Sequence, residues 1–162
     1  MHKILTPVDG SVHSVKALKI ASDLALKYNG RVFILHVLLR GKDAKGLLAL
    51  NVSSLFDDRL REILKKAEAA NLGPAPDELL DKVGQIILEQ SAERAQHYGI
   101  EFELLPLLKG TPADEIINTQ QKIEAGTIVM GARGVSFSEH TTFGSVSQDV
   151  FNRADCTCIS VK

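Results

Sequence analysis

Five short apolar runs alternate with longer stretches of helical period, and that alternation is what most constrains the fold. The runs are residues 3–8, 31–37, 101–107, 127–130 and 158–161, each of strand length. Between the first two, residues 12–28 carry Ala17, Leu18, Ala21, Leu24, Ala25 and Tyr28 at intervals of three and four, one apolar stripe along a helix. Ser11 is placed to cap its start, and Asn29-Gly30 ends it, with Gly30 free to take a positive φ. Residues 54–70 and 77–98 repeat the helical period, separated by Gly73, Pro74 and Pro76, which a helix cannot continue through. Gly99 closes the second of these. Thr111 and Pro112 open a helix, with Asp114 and Glu115 in its first turn, and residues 144–154 form the last. The second strand is apolar apart from Arg31 and His36, as a parallel strand covered on both faces should be, and the alternation of strands with helices predicts one α/β domain, a parallel sheet covered by helices on both faces. Pro106 lacks an amide donor, so the third strand ends at a sheet edge. Residues 40–52 show no period.

Composition narrows the function classes. The 162 residues suffice for a single core, and 44% hydrophobic with 24% charged residues is a globular balance. Net charge is −1, and no basic run exceeds two residues, which argues against nucleic acid as a partner. No stretch approaches the roughly 18 apolar residues that suggest a membrane span. Pro7 and Asp9 come too early for a signal-peptide core, so a cytoplasmic location is expected. Cys156 and Cys158 are expected to point apart and remain reduced thiols, because the tail offers no further metal ligands at a familiar spacing.

An open parallel sheet binds ligands beyond the carboxyl ends of its strands, where strand order reverses. The first strand ends in Pro7, Val8, Asp9, Gly10 and Ser11, the second in His36 and Val37. The fourth leads into Gly131, Ala132, Arg133 and Gly134, followed by nine residues and then Gly144, Ser145, Val146 and Ser147 at a helix start. Glycines there let backbone N–H groups approach a phosphate, and the helix terminus favours an anion. Turn-making is the alternative role for the same glycines. No P-loop of the G-x-x-x-x-G-K-[ST] type is present, since Gly41-Lys42 lacks the remainder, and no G-x-G-x-x-G follows the first strand. Asp9, Ser11 and His13 suggest a hydrolase less than they suggest a capped helix with an exposed first-turn histidine. His36 reads as a satisfied buried side chain, and Glu139-His140 lacks the rest of a zinc motif.

With these residues in place the chain resembles the ATP-binding branch of the universal stress protein family. Its motif G-x2-G-x9-G-[ST] is met by Gly131, Gly134, Gly144 and Ser145. Residues 4–11, 35–37, 110–117, 128–134 and 144–147 also look like the family, in its order and over nearly the whole chain. The resemblance implies a flavodoxin-like, adenine-nucleotide α-hydrolase-like sheet of five strands in the order 3-2-1-4-5, as one domain over residues 1–162. Residues 39–75 form a variable insert or lid in it. It implies ATP, with Mg²⁺ as a companion, as the bound cofactor. Pro7, Val8 and Asp9 would line the adenosine, Asp9 accepting from a ribose hydroxyl or the adenine amine, and Val37 would meet the adenine edge through its backbone. Met130 and Gly131 would pack near the ribose, while Arg133, Gly134, Gly144, Ser145, Val146 and Ser147 would surround the phosphates. A homodimer joined through the final strand is also implied. The loop 135–143 carries no lysine or arginine, so Arg133, His140 or Mg²⁺ must balance phosphate charge beside Glu139.

Three functions compete. The first is an ATP-binding regulator of stress physiology, whose nucleotide state biases loop or dimer contacts. The second is a dimeric interaction module without nucleotide. The third is an enzyme such as a slow ATPase. The intact glycine spacing favours the first, and the third lacks a general base placed opposite the phosphates.

Overall fold

The computed structural model describes residues 1–135 and 143–162. Glu139 and His140 lie outside the described residues. The chain runs β1 (His2–Pro7), α1 (Val12–Tyr28), β2 (Gly30–Leu35), α2 (Ala44–Leu48), a 3₁₀ turn (Asn51–Leu55), α3 (Asp58–Ala69) and α4 (Asp77–His97). It continues β3 (Glu101–Leu104), α5 (Pro112–Ile123), β4 (Thr127–Gly131), α6 (Ser145–Arg153) and β5 (Thr157–Val161). The five strands pair in parallel in the order β3-β2-β1-β4-β5. The expected α/β class and strand order are therefore correct.

Side chains of successive strand residues point to opposite faces, and both faces are covered. Ile4, Val32, Ile34 and Val129 join one core with Ala17 and Leu18 of α1 and Val83 and Ile87 of α4. Leu5, Phe33, Leu35, Ile128 and Met130 join the other with Ile116 and Ile117 of α5 and Val150 of α6. Residues 39–75 are not peripheral to this packing: Leu47, Leu50, Val52, Phe56, Leu60 and Leu64 belong to the first core. The missing period in 40–52 reflects short elements. Five residues of α2 and one 3₁₀ turn each bury a residue or two, too little to imprint a repeat.

Several local expectations are sharpened or corrected. Ser11 caps α1, its Oγ accepting from the Ser14 amide at 3.1 Å. Asn29, not Gly30, takes the left-handed conformation at the end of α1, with φ of 51°. Gly30 is required for space, since a Cβ there would stand 2.8 Å from the His2 carbonyl oxygen. The helix expected over 54–70 starts at Asp58, because Asp57 caps it by accepting from the Leu60 amide at 2.7 Å. Thr111 holds the N-cap position of α5, but its hydroxyl makes no capping bond. Strand β3 stops at Leu104 rather than 107. The Leu105 amide still reaches the Ile34 carbonyl, then Pro106 has no N–H to give. Cys156 and Cys158 do not point apart. Alternate residues of extended chain share a face, and both thiols pack against the second core. Both are free. Among the described residues no helix is long and apolar enough to cross a membrane.

Candidate functional site

Strand β1 is central: the chain passes from it to β2 and β3 on one side, then crosses back to β4 and β5 on the other. Its carboxyl end is the switch point of the sheet. There the chain leaves through Asp9 and Gly10, whose φ of +79° suits glycine and turns the backbone into α1. Val8 makes the last ladder bond of β1, its amide donating to the Leu35 carbonyl at 2.8 Å. Beyond that bond β2 continues without β1 beside it. On its other side the Leu108 amide donates to the His36 carbonyl, and the Leu38 amide to the Leu108 carbonyl, in the parallel bridge between Val37 and Leu108. The amide and carbonyl of Val37 alternate with those groups and so face the gap that β1 vacates. Val37 itself is buried.

His36 fixes this corner. Its ring is buried, and Nδ1 donates to the Val8 carbonyl at 2.7 Å, so Nε2 is left as an acceptor with no hydrogen-bond partner. Gly84 of α4 makes room for the ring: a Cβ there would lie 2.9 Å from His36 Cδ2. Burial pushes the imidazole pKa down, only partly opposed by the Val8 carbonyl and the Asp9 charge. The neutral ring therefore acts as a strut between β2 and the end of β1. The expectation of a satisfied buried histidine is half correct, since one nitrogen is bonded and the other is not.

Asp9 joins the two halves of the site. One carboxylate oxygen accepts from the Ser11 amide at 3.0 Å, and the other accepts from the Val135 amide at 3.0 Å. Gly134 comes so close that a Cβ would stand 2.6 Å from Asp9 Oδ2. Each carboxylate oxygen keeps a further lone pair. Gly131 is bare for a different reason. A Cβ there would meet His13 Cβ at 2.8 Å and the His13 carbonyl carbon at 3.0 Å, so β4 and the start of α1 pack directly. His13 is half-buried by that contact, not exposed. A side chain at position 131 would thus disturb the scaffold as well as any ligand.

The two glycine pairs converge. The Gly144 amide donates to the Ala132 carbonyl at 2.8 Å, and a Cβ on Gly144 would stand 3.6 Å from the Gly134 amide nitrogen. Gly144 caps α6, and the first intrahelical bond runs from the Gln148 amide to the Gly144 carbonyl. The amides of Ser145, Val146 and Ser147 precede that bond and form the open amino end of the helix. Ser145 is exposed at this end, whereas Ser147 is buried with its hydroxyl 2.9 Å from both the Ala132 and the Gly144 carbonyl oxygens. Its single proton serves the loop. Met130 is buried beneath β4, Arg133 is half-buried, and Pro7 is half-buried beside buried Val8.

The structure thus brings Pro7, Val8, Asp9, Val37, Met130, Gly131, Arg133, Gly134 and residues 144–147 to the carboxyl end of β1, β2 and β4. Sequence reasoning missed Lys42, whose Nζ donates to the Val135 carbonyl at 2.8 Å. No local pattern marked it, because the contact joins residues 93 positions apart. A wide depression of about 790 Å³ lies at the other end of the sheet, lined among others by Gln120, Glu124, Asp155 and Cys156. It sits at the amino ends of β4 and β5, away from the switch point.

Comparison with known proteins agrees with this geometry. The family model described as the Universal stress protein family matches residues 1–162. The chain is 31% identical over 170 residues to universal stress protein YxiE of Bacillus subtilis, covering 99% of each protein. Among solved structures it is similar to universal stress protein UspA from Lactobacillus plantarum, with a TM-score of 0.70, 22% identity and coverage of 99% of this chain and 97% of that one. It is also similar to the universal stress protein from Archaeoglobus fulgidus in complex with dAMP, with a TM-score of 0.61, 22% identity and coverage of 100% and 98%. A family match over the whole length of the chain establishes that it belongs to the universal stress protein family.

Proposed function

We propose that this protein is a cytoplasmic, ATP-binding regulator, with the nucleotide seated across the carboxyl ends of β1, β2 and β4. The observation that carries the reading is the abutment of Gly134 on Asp9, with Gly144 closing on the Gly134 amide. A Cβ at 134 would occupy space beside the carboxylate, and turn-making alone gives no reason for so close an approach. The backbone groups of Val37 present a donor and an acceptor of the kind an adenine edge needs. Asp9 has lone pairs for a ribose hydroxyl. The Gly134 amide and the open end of α6 are donors suited to phosphate. The Archaeoglobus fulgidus relative binds dAMP, which is consistent with an adenosine end of this kind. Mg²⁺ would enter with the triphosphate. Sensing is the function proposed, since among the described residues no histidine or lysine is placed as a base against an attacking water.

The same reading includes a homodimer through β5. Among the described residues that strand pairs only with β4, so its outer edge offers unpaired backbone groups to a second copy of the chain. Two measurements test the proposal. Mass spectrometry of natively purified protein should detect an adenine nucleotide, and titration calorimetry should register binding of ATP with Mg²⁺. Absence of both signals would favour an interaction module without nucleotide.

A further inference from the structure

We infer that Lys42 is a phosphate-binding residue of this site, supplied by the segment between β2 and α2. The inference rests on the nucleotide reading above and adds a cation to it. The loop 135–143 has no lysine or arginine, so a triphosphate held there needs positive charge from elsewhere. Lys42 brings it across the site. Its Nζ lies 2.8 Å from the carbonyl oxygen of Val135, the residue after Gly134. The Val135 amide is in turn bound to Asp9 Oδ2. The ammonium therefore stands on the residue whose amide is bound to Asp9 and which follows Gly134.

The side chain is aimed by built structure. The Lys42 amide donates to the Leu39 carbonyl at 3.1 Å, and its carbonyl accepts from the Ala75 amide at 2.8 Å. Those two bonds tie its backbone to both ends of the 39–75 segment. Asp43 then caps α2, accepting from the Gly46 amide at 2.8 Å. The aliphatic stem of Lys42 lies over Gly46, where a Cβ would come within 3.0 Å of Lys42 Cδ. Glycine inside a helix is unfavourable, and here it leaves room for the stem.

Among the described residues the charge is also uncommitted. Nearby Arg40 is ion-paired with Asp77, and Lys109 with Asp81. Lys42 instead donates to a neutral carbonyl, which leaves its charge intact and two of its three protons for other acceptors. A phosphoryl oxygen is a stronger acceptor than a carbonyl, because the bond is assisted by opposite charges. On nucleotide binding the ammonium turns from Val135 to the phosphates. It favours phosphorylated nucleotides over nucleosides and links phosphate occupancy to the 39–75 segment.

The test compares ATP-Mg²⁺ with adenosine by titration calorimetry on wild-type protein, Lys42→Met and Lys42→Arg. Methionine keeps a stem over Gly46 and removes the charge. Lys42→Met should weaken ATP binding about tenfold, the scale of one lost charge-assisted bond, and leave adenosine affinity within about twofold. Lys42→Arg should restore most of the ATP affinity. Equal loss for both ligands would make Lys42 a structural residue, and unchanged affinity for both would remove it from the site; either overturns the proposal. Wild-type protein that binds neither ligand would overturn the nucleotide reading itself, and this one with it.

Discussion

Replacing Gly134 by alanine puts a methyl carbon 2.6 Å from Asp9 Oδ2. An ordinary contact needs about 3.4 Å, so the carboxylate must retreat by about 0.8 Å or the loop must lift by as much. Oδ2 accepts from the Val135 amide at 3.0 Å, and a shift of that size takes the pair beyond hydrogen-bond distance. Asp9 cannot swing freely, because Oδ1 is held by the Ser11 amide at 3.0 Å. A bond to a charged acceptor contributes about 1.5–3 kcal/mol, and the half-buried position lowers this to about 1–2 kcal/mol. Gly144 is the internal control. Among the described residues its added Cβ would meet nothing closer than 3.6 Å, and its φ of −72° suits any residue. Gly144→Ala should therefore alter stability by only about 0.5 kcal/mol. Urea denaturation measures the stability difference, and titration with adenosine measures the site. Gly134→Ala should lose about 1–2 kcal/mol of stability and about tenfold in adenosine affinity. Wild-type stability and adenosine affinity in Gly134→Ala would refute the view that Asp9 ties the two halves of the site together.

Other consequences follow from individual side chains. Burial lowers the His36 pKa below its unfolded value of 6.5. The unfolded chain therefore takes up the proton first as pH falls. Stability linked to His36 is complete above pH 6.5 and declines below it, by up to about 1.4 kcal/mol per pH unit until the folded pKa is reached. Urea midpoints at several pH values should fall less steeply in His36→Asn than in wild type, and identical slopes would exclude His36 as the source. Ser147→Ala removes the buried hydroxyl shared by the Ala132 and Gly144 carbonyls and should cost about 1 kcal/mol; an unchanged unfolding midpoint would show that the hydroxyl does not hold the loop. Burial raises the thiol pKa of Cys156, and that of Cys158 to about 11, so both stay protonated at pH 8. Iodoacetamide should label the native protein far more slowly than the unfolded chain, and equal rates would contradict the packing of β5.

What the sequence determined by itself was everything written in short-range pattern. Apolar runs of strand length, helical periodicity and the caps at Ser11 and Pro112 describe a parallel α/β sheet. Gly131, Gly134, Gly144 and Ser145 match the family motif in spacing and fall at the carboxyl end of the sheet. The errors were local too: a strand drawn through Pro106, a helix begun before its Asp57 cap, and the two thiols assigned to opposite faces. Tertiary structure decided what each glycine is for. Gly131 makes room for α1, Gly134 for Asp9, Gly84 for the His36 ring and Gly46 for the Lys42 stem. A sequence does not show this, because a missing Cβ looks the same whatever approaches it. Lys42 is the clearest case. In the sequence it belongs to an aperiodic stretch and an incomplete phosphate motif, yet folding sets its ammonium against Val135. Parallel strands need long crossovers, so the ends that form the site come from distant parts of the chain, and only the packed sheet brings their charges together.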